Sequence, residues 1–256
     1  MYSEDVDLQK RLFNKKNYSY IFNILKVVVL MVVYIINQYA TTPEVGSGTR
    51  HYYIAKELAL LGHQVFLITA NFTHLMHKSV DLKNHVNKKS SNGVNHIYLK
   101  TFEYRNSSDL RRILNWLIFS WKVSRLLKYI KKKPNIVIVS SPSPFSFLGA
   151  SSLAKKSQSK IIYDIRDIWP LSIIELGEIS SKNLLIKILQ WVEKKAYKDS
   201  NNITSTIPFL NEHIKALGIN KNKFSYLPNG FDRNELLNKE KLKPAVSSRI
   251  PRGKFV

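Results

Sequence analysis

Two glycines separated by one residue lie in the segment Gly46-Ser47-Gly48-Thr49, between a predicted strand and a predicted helix. Glycine lets a backbone approach a ligand closely, and a helix N-terminus presents free N–H groups and a partial positive charge to a phosphate. This pattern predicts a diphosphate contact through Gly46, Ser47, Gly48 and Thr49. An ordinary tight turn is the alternative.

Two well-known phosphate loops do not fit this segment. The dinucleotide pattern G-x-G-x-x-G would need a glycine where His51 stands, and an acid near residues 69–71, which are Thr-Ala-Asn. The Walker A pattern needs G-K-[ST], which the chain lacks. The loop therefore suits a diphosphate but not the standard NAD or ATP motifs.

A charged pair, Arg166-Asp167, directly follows another predicted strand. Ligands of parallel sheets bind at the carboxyl ends of the strands. Asp167 is therefore a candidate to accept a hydrogen bond from an acceptor hydroxyl, and Arg166 a candidate to meet a phosphate. A mutual ion pair that holds the loop is the alternative. We expect the following Trp169 to pack in the core, and a flat apolar wall for a sugar is the alternative.

The elements that must position these groups alternate along the chain. Strands are predicted at 32–37, 65–69, 97–99, 136–140, 161–165, 203–207 and 224–227. Helices are predicted at 49–61, 110–132, 145–156, 184–198 and 210–217, and a long surface loop at 71–93. This alternation predicts an α/β fold with a doubly wound parallel sheet of about six or seven strands and helices on both faces.

Composition narrows the functional classes. The 256 residues carry a formal net charge of +22, which favours anionic partners such as phosphorylated ligands, an anionic membrane surface or nucleic acid. No helix-turn-helix, zinc-finger or RNA-binding pattern occurs, so no nucleic-acid partner is predicted. The chain has no cysteine, which excludes disulfides and cysteine-ligated metals.

Four blocks in order resemble family-4 retaining glycosyltransferases of the bacterial surface-polysaccharide group. They are QYATTPEVGSGTRHYY (38–53), SSPSPF (140–145), YDIRDIWP (163–170) followed by ELG (175–177), and LPNGFD (227–232). Together they cover roughly residues 32 to 256. The resemblance implies the N-terminal, Rossmann-like domain of a GT-B fold, in which two such domains face each other across a cleft.

The resemblance also implies the chemistry. The full enzyme would transfer a sugar, with retention, from a nucleotide-diphosphate sugar to a lipid-linked or glycan acceptor in cell-surface polysaccharide biosynthesis. No cofactor is implied beyond this donor substrate. Residues Gly46, Ser47, Gly48 and Thr49 would reach across the cleft to the donor diphosphate, and Arg50 would add a charge-assisted contact.

The histidine expected from the resemblance is missing. Many relatives carry one in the loop after the fourth strand, which here reads Ser-Pro-Ser-Pro (141–144). His51, beside the glycine loop, is then the candidate catalytic histidine, and a helix-packing role is its alternative. The other histidines considered lack the spacing of metal ligands, so no metal is predicted. They are His63, His74, His77 and His85.

The predicted helix near 110–133 combines aromatic and basic residues. It holds Trp116, Trp121 and no acid, and its basic residues are Arg111, Arg112, Lys122, Arg125, Lys128, Lys131, Lys132 and Lys133. Such interleaving is typical of an interfacial helix on an anionic membrane surface. A core helix with a solvated basic end is the alternative. We therefore expect a cytoplasmic protein peripheral to the inner face of the plasma membrane.

Three segments are predicted along the chain. Residues 1–26 are expected to form an extension that contacts the membrane, 27–237 the acceptor-side domain, and 238–256 a linker and the start of a donor-binding domain. Two other functional classes stay open. One is a truncated binding domain without turnover, and the other is a basic protein that binds membranes or nucleic acid.

Overall fold

The structure is a computed structural model that describes residues 30–77, 79–80, 82, 86–104, 111–177, 180 and 182–230. The predicted extension at 1–26 and the predicted linker at 238–256 lie outside the described residues. So do the last residues of the LPNGFD block.

An eight-stranded sheet forms the centre of the molecule, and all neighbouring strands but one pair are parallel. The strands are β1 (Val32–Ile36), β2 (Gln64–Ala70), β3 (Val86–Ser91), β4 (Val94–Leu99), β5 (Ile136–Ser140), β6 (Lys160–Ile165), β7 (Asn202–Ser205) and β8 (Phe224–Tyr226). Their order is β3-β4-β2-β1-β5-β6-β7-β8, so the chain winds outward from β1 in both directions. The predicted doubly wound α/β class is confirmed, with at least one strand more than expected.

The additional strand corrects the prediction of a long loop at 71–93. Strand β3 pairs antiparallel with β4, and the two are joined by Asn92 and Gly93, whose φ angles are 51° and 75°. Positive φ at both central residues defines the hairpin turn that Asn-Gly favours. Lys88 and Lys89 stand exposed on this edge strand, where charge discourages pairing with another chain.

In the part of the chain that the structure describes, six helices flank the sheet. They are α1 (Arg50–Leu60), α2 (Arg111–Val123), α3 (Ser146–Ser157), α4 (Leu171–Gly177), α5 (Leu184–Asp199) and α6 (Leu210–Ala216). Within the described ranges, none combines the length and the apolar character needed to cross a bilayer.

Helix α2 is shorter than the 110–132 predicted. After Val123 the chain continues through turns into a 3-10 segment at Leu126–Lys128. Leu126 and Ile130 are nevertheless buried in the same core cluster as Val123. The apolar spacing therefore continues past the end of the helix, which is why periodicity alone indicated a single long element.

The core lies on both faces of the sheet. On one face, alternate residues of the strands pack against α2, α3, α5 and α6 in one large cluster that includes Tyr34, Phe119 and Phe147. On the other face, Val33 and its neighbours pack against α1. This arrangement brings the carboxyl ends of the central strands to one common edge.

Candidate functional site

The segments after β1, β5 and β6 are joined by hydrogen bonds in which buried polar side chains take part. The side chain of Asn37 donates to the carbonyl of Ser141 (3.2 Å), and Ser143 Oγ donates to Gln38 Oε1 (2.6 Å). Ser141 Oγ in turn accepts the backbone N–H of Arg166 (2.8 Å). The predicted site segments therefore meet at one edge of the sheet.

The two glycines of the loop allow it to pack closely on neighbouring backbone. A Cβ at Gly46 would collide with the carbonyl of Leu75, and one at Gly48 with the carbonyl of Tyr39. The backbone N–H of Ser47 also donates to Leu75 O (3.1 Å). The loop thus has a structural need for glycine that is independent of any ligand, and its diphosphate contact stays a prediction.

The start of α1 adjoins this loop. Its N-cap residue, Thr49, makes no side-chain capping hydrogen bond. Ser47 is exposed, whereas Thr49 is half-buried. The N–H groups of the first turn of α1 therefore receive no hydrogen bond from the side chain of Thr49. A phosphate contact would require these N–H groups to be free of such a cap.

The guanidinium of Arg50 points to the LPNG segment. Its Nη1 donates to the carbonyl of Pro228 (2.8 Å) and to Asn229 Oδ1 (3.1 Å), and its Nη2 donates to the carbonyl of Leu227 (3.0 Å). Nη2 also lies 3.6 Å from Asp164 Oδ1. To reach a diphosphate, Arg50 would have to leave these partners, so here it joins α1 to residues 227–229.

His51 lies beneath the site edge and is buried. Its Nε2 is 3.2 Å from Asp164 Oδ2, and the carboxylate also accepts hydrogen bonds from Ser140 Oγ (3.0 Å) and Thr204 Oγ1 (2.9 Å). Burial lowers the pKa of His51, although the hydrogen bond to Asp164 and the charge of Asp164 act in the opposite direction. His51 is thus held in the fold by Asp164, and its catalytic role stays a prediction.

Asp164 was not selected from the sequence as a site residue. Burial alone would raise the pKa of its carboxyl, but the hydrogen bond from His51, the charge of Arg50 and the hydrogen bond from Thr204 lower it from 3.8 to about 2. The sequence does contain a signal, because Asp164 is an acid inside an otherwise apolar buried strand. An ionised carboxylate there requires several donors from other segments.

Arg166 and Asp167 lie at the carboxyl end of β6, as predicted. Ser141 Oγ accepts both of their backbone N–H groups, at 2.8 and 3.3 Å. Among the described residues the two side chains form no ion pair with each other, and Arg166 Nε is buried without a hydrogen-bond partner. Ser141, rather than the ion pair considered as an alternative, holds this loop. The carboxylate of Asp167 is exposed.

An aromatic cluster borders these charged residues. Trp169 packs edge-on against Trp116 with ring centroids 5.5 Å apart, and Trp116 Nε1 donates to Tyr39 OH (2.6 Å). Trp169 is half-buried and packs against this apolar cluster, so it contributes to packing without being a fully buried core residue. The guanidinium of Arg112 lies over both indoles, 5.0 and 5.8 Å from the ring centroids.

His74, which the sequence analysis considered only as a metal ligand, lies against Tyr39 at this edge. Its ring is edge-on to Tyr39, and its Nδ1 lies 3.1 Å from Tyr104 OH. Burial and the nearby charge of Arg112 lower its pKa. His74 reaches the site because residues 75–76 fold back on the glycine loop, a long-range contact that local pattern does not reveal. No grouping of metal-binding side chains occurs among the described residues.

Comparison with solved structures defines the class of fold. The chain is similar to sucrose-phosphate synthase from Thermosynechococcus elongatus, with a TM-score of 0.57 and 14% identity over 80% of this chain and 49% of that one. It is also similar to TcCGT1 in complex with UDP, with a TM-score of 0.51 and 12% identity over 86% of this chain and 55% of that one. The chain thus has the Rossmann-like architecture of a GT-B N-terminal domain and spans about half the length of these structures.

The family follows from the sequence match. The model of Glycosyltransferase Family 4 matches residues 46–235, which is most of the chain. The chain therefore belongs to glycosyltransferase family 4. No curated protein matches the sequence.

Proposed function

We propose that this chain is the acceptor-side domain of a retaining, sugar-nucleotide-dependent glycosyltransferase. The full enzyme transfers a sugar from a nucleotide-diphosphate sugar to a lipid-linked or glycan acceptor in cell-surface polysaccharide biosynthesis. Membership of family 4 supports the class of reaction. The observation that carries the proposal is the pair Arg166-Asp167, whose backbone is fixed by Ser141 while the side chains stay unpaired with each other.

Each group at the edge has a proposed part. Asp167 accepts and orients an acceptor hydroxyl, because its carboxylate is exposed at the carboxyl end of β6. Arg166 meets a phosphate of donor or acceptor. The segment Gly46-Ser47-Gly48-Thr49, with the uncapped first turn of α1, receives the donor diphosphate.

Two predicted site residues have a supporting part in this proposal. His51 is buried and bonded to Asp164, and Arg50 is bonded to residues 227–229, so both position the edge from below. In the full enzyme, Arg50 would add its charge to the diphosphate site without direct contact. A catalytic role for His51 would then operate through the ionised Asp164 and not by contact with substrate.

A membrane contact through α2 is the second part of the proposal. We define the α2 stripe as Leu114, Leu117 and Trp121, all of which are exposed, whereas Trp116 is buried. Beside it lies an apolar hollow of about 460 Å³ lined by Phe102, Trp121 and Tyr129, with Lys100 and Lys122 among its other lining residues. Exposed tryptophan beside lysine favours the headgroup region of an anionic bilayer. The protein would then sit on the inner face of the plasma membrane.

The enzymatic proposal is tested by Asp167→Asn in the full-length enzyme, with radiolabelled sugar transfer as the measurement. If Asp167 orients the acceptor, kcat should fall by at least about tenfold while the KM for the donor changes less than twofold. Glu57→Gln is the matched control, since this exposed carboxylate lies in the last turn of α1, at the end of that helix opposite the glycine loop. Unchanged kcat in Asp167→Asn would remove Asp167 from the acceptor site.

A further inference from the structure

Helix α5 presents an apolar row to solvent. We define the α5 stripe as Leu184, Ile188 and Trp191, which are 74%, 40% and 58% exposed. The spacing of four and three residues places them on one side of the helix. The opposite side is buried through Ile186, Leu189 and Val192. Helix α5 therefore buries one apolar face and leaves a second one open.

Lysines surround the α5 stripe. Lys187, Lys194 and Lys198 are exposed along the same side. A hollow of about 300 Å³ is lined by Trp191 and the neighbouring residues Lys194, Lys195, Lys198 and Asp199.

Both acidic residues of α5 are bonded to other side chains and do not neutralise Lys187, Lys194 or Lys198. Glu193 is buried and bonded to Tyr197 OH and His213 Nε2, both at 2.9 Å, and Asp199 pairs with Lys195 at 2.6 Å. The exposed side of the helix is thus apolar and cationic together.

The stripes of α2 and α5 belong to the same side of the sheet. Both helices pack against α3, whose small residues Gly149, Ala150, Ser151 and Ala154 are buried. The first half of α2 and the first half of α5 also share one apolar cluster, which contains Trp116 and Leu189. Helix α3 is recessed between them, so the two stripes lie on two outer helices of one face.

We propose that the α5 stripe is a second contact with an anionic lipid bilayer, beside the α2 stripe. Indole rings favour the headgroup level, and lysine side chains extend their ammonium groups to lipid phosphates. The excess of unpaired lysines matches the negative potential of an anionic leaflet. The inference rests on the proposed membrane contact of α2, and its tests separate the two helices.

Fluorescence of the 256-residue chain tests insertion directly. The chain has four tryptophans, of which Trp121 and Trp191 are exposed, Trp116 is buried and Trp169 is packed in the aromatic cluster. In the Trp121→Phe protein, vesicles of brominated phosphatidylcholine and phosphatidylglycerol should quench the tryptophan emission, because Trp191 contacts the lipid. The control Trp121→Phe/Trp191→Phe should lose that quenching. Equal quenching in the two proteins would overturn the proposal.

Vesicle co-sedimentation tests the charge requirement. Lys187→Gln/Lys194→Gln should weaken binding to anionic vesicles at low salt by about fivefold per lysine. The control Lys215→Gln/Lys221→Gln removes the same charge from exposed positions outside both stripes and should change binding less than twofold. Equal loss in both pairs would overturn the proposal, because net charge alone would then explain binding.

The two membrane proposals fail in different ways. If Trp121→Ala abolishes binding while Trp191→Ala and the Lys187/Lys194 pair leave it unchanged, the α5 stripe is not a contact and the α2 contact stands. Absence of binding to anionic vesicles by the unaltered chain overturns both. Sedimentation velocity could show a dimer that dissociates in Trp191→Ala. That result would assign the α5 stripe to contact with a second copy of the chain and would also overturn the proposal.

Discussion

At the scale of single residues, two buried polar side chains have opposite surroundings. Asp164 is bonded to His51, Ser140 and Thr204 and lies near Arg50, which keeps its carboxyl ionised. His96 on β4 is equally buried, yet neither ring nitrogen has a hydrogen-bond partner within the described residues. A buried polar group without partners costs free energy that a paired one does not.

The surroundings of His96 predict a stabilising substitution. Burial lowers its pKa, as does the charge of Lys89, while Glu44 acts in the opposite direction. Its ring lies between Tyr52 and Tyr98, at centroid distances of 5.9 and 6.4 Å. His96→Phe keeps the aromatic contacts and removes both unpaired nitrogens, so the free energy of unfolding should rise by about 1–3 kcal/mol.

The size of this gain should depend on pH. Above the ordinary histidine pKa of 6.5, His96 is neutral in both states and contributes no pH dependence. As pH falls below that value, the unfolded chain takes up a proton that the folded chain resists, so the wild type loses stability. Urea unfolding should therefore show a larger gain from His96→Phe at pH 5.5 than at pH 8. A gain independent of pH would contradict the lowered pKa, and His77→Phe serves as the exposed control.

At the scale of elements, the position of α2 depends on close contact with α3. Ser120 Oγ accepts the backbone N–H of Gly149 (3.1 Å), and a Cβ at Gly149 would collide with the carbonyl of Ser120. This contact brings α2 close to the sheet and places Trp116 in the aromatic cluster beside Trp169. The same element carries the α2 stripe on its outer side.

Gly149→Ala should therefore destabilise the domain, although alanine favours helices. The added methyl group pushes α2 away from α3, and overpacking of this kind costs about 1–3 kcal/mol. Helix propensity alone predicts a gain of up to about 1 kcal/mol, so the sign of the change decides between the two effects. Chemical denaturation measures it, and Ser152→Ala on the same helix is the control. A stabilised Gly149→Ala protein would show that α2 and α3 are not in close contact.

At the scale of the whole molecule, the groups proposed to meet a diphosphate lie on one edge of one sheet. They are the glycine loop, the first turn of α1 and Arg166. Nucleotide sites commonly bury most of their ligand within a concave pocket. The chain spans about half the length of the solved structures it resembles, one of which is in complex with UDP.

We therefore expect this 256-residue chain by itself to bind nucleoside diphosphates weakly, with a Kd above about 1 mM, and to show no sugar transfer. Calorimetric titration with UDP, ADP and GDP measures the affinity. Inorganic pyrophosphate is the control, because it reports contact with the glycine loop without a nucleoside. Micromolar binding of any of the three nucleotides would show that the donor site lies on this domain.

Much of the fold was accessible from local pattern. Buried parallel strands are continuous apolar runs, so β1, β5 and β6 were found close to their observed bounds, and their carboxyl ends located Arg166 and Asp167. The second half of β4 was predicted at 97–99, but β3 and the hairpin turn were missed although Asn92-Gly93 marks the turn, since the polar residues of an edge strand lack an apolar run.

The sequence by itself determined the doubly wound sheet, the order of its motifs and the edge at which they meet. The tertiary structure alone decided which side chains pair there. Arg50 bonds to carbonyls of residues 227 and 228, and His51 to Asp164, 113 positions further along the chain. The spacing of apolar residues along the sequence indicates helices and strands locally. The partners of buried polar groups instead depend on which strand ends become neighbours in the fold. For that reason the partners of Asp164 emerged only in the folded protein.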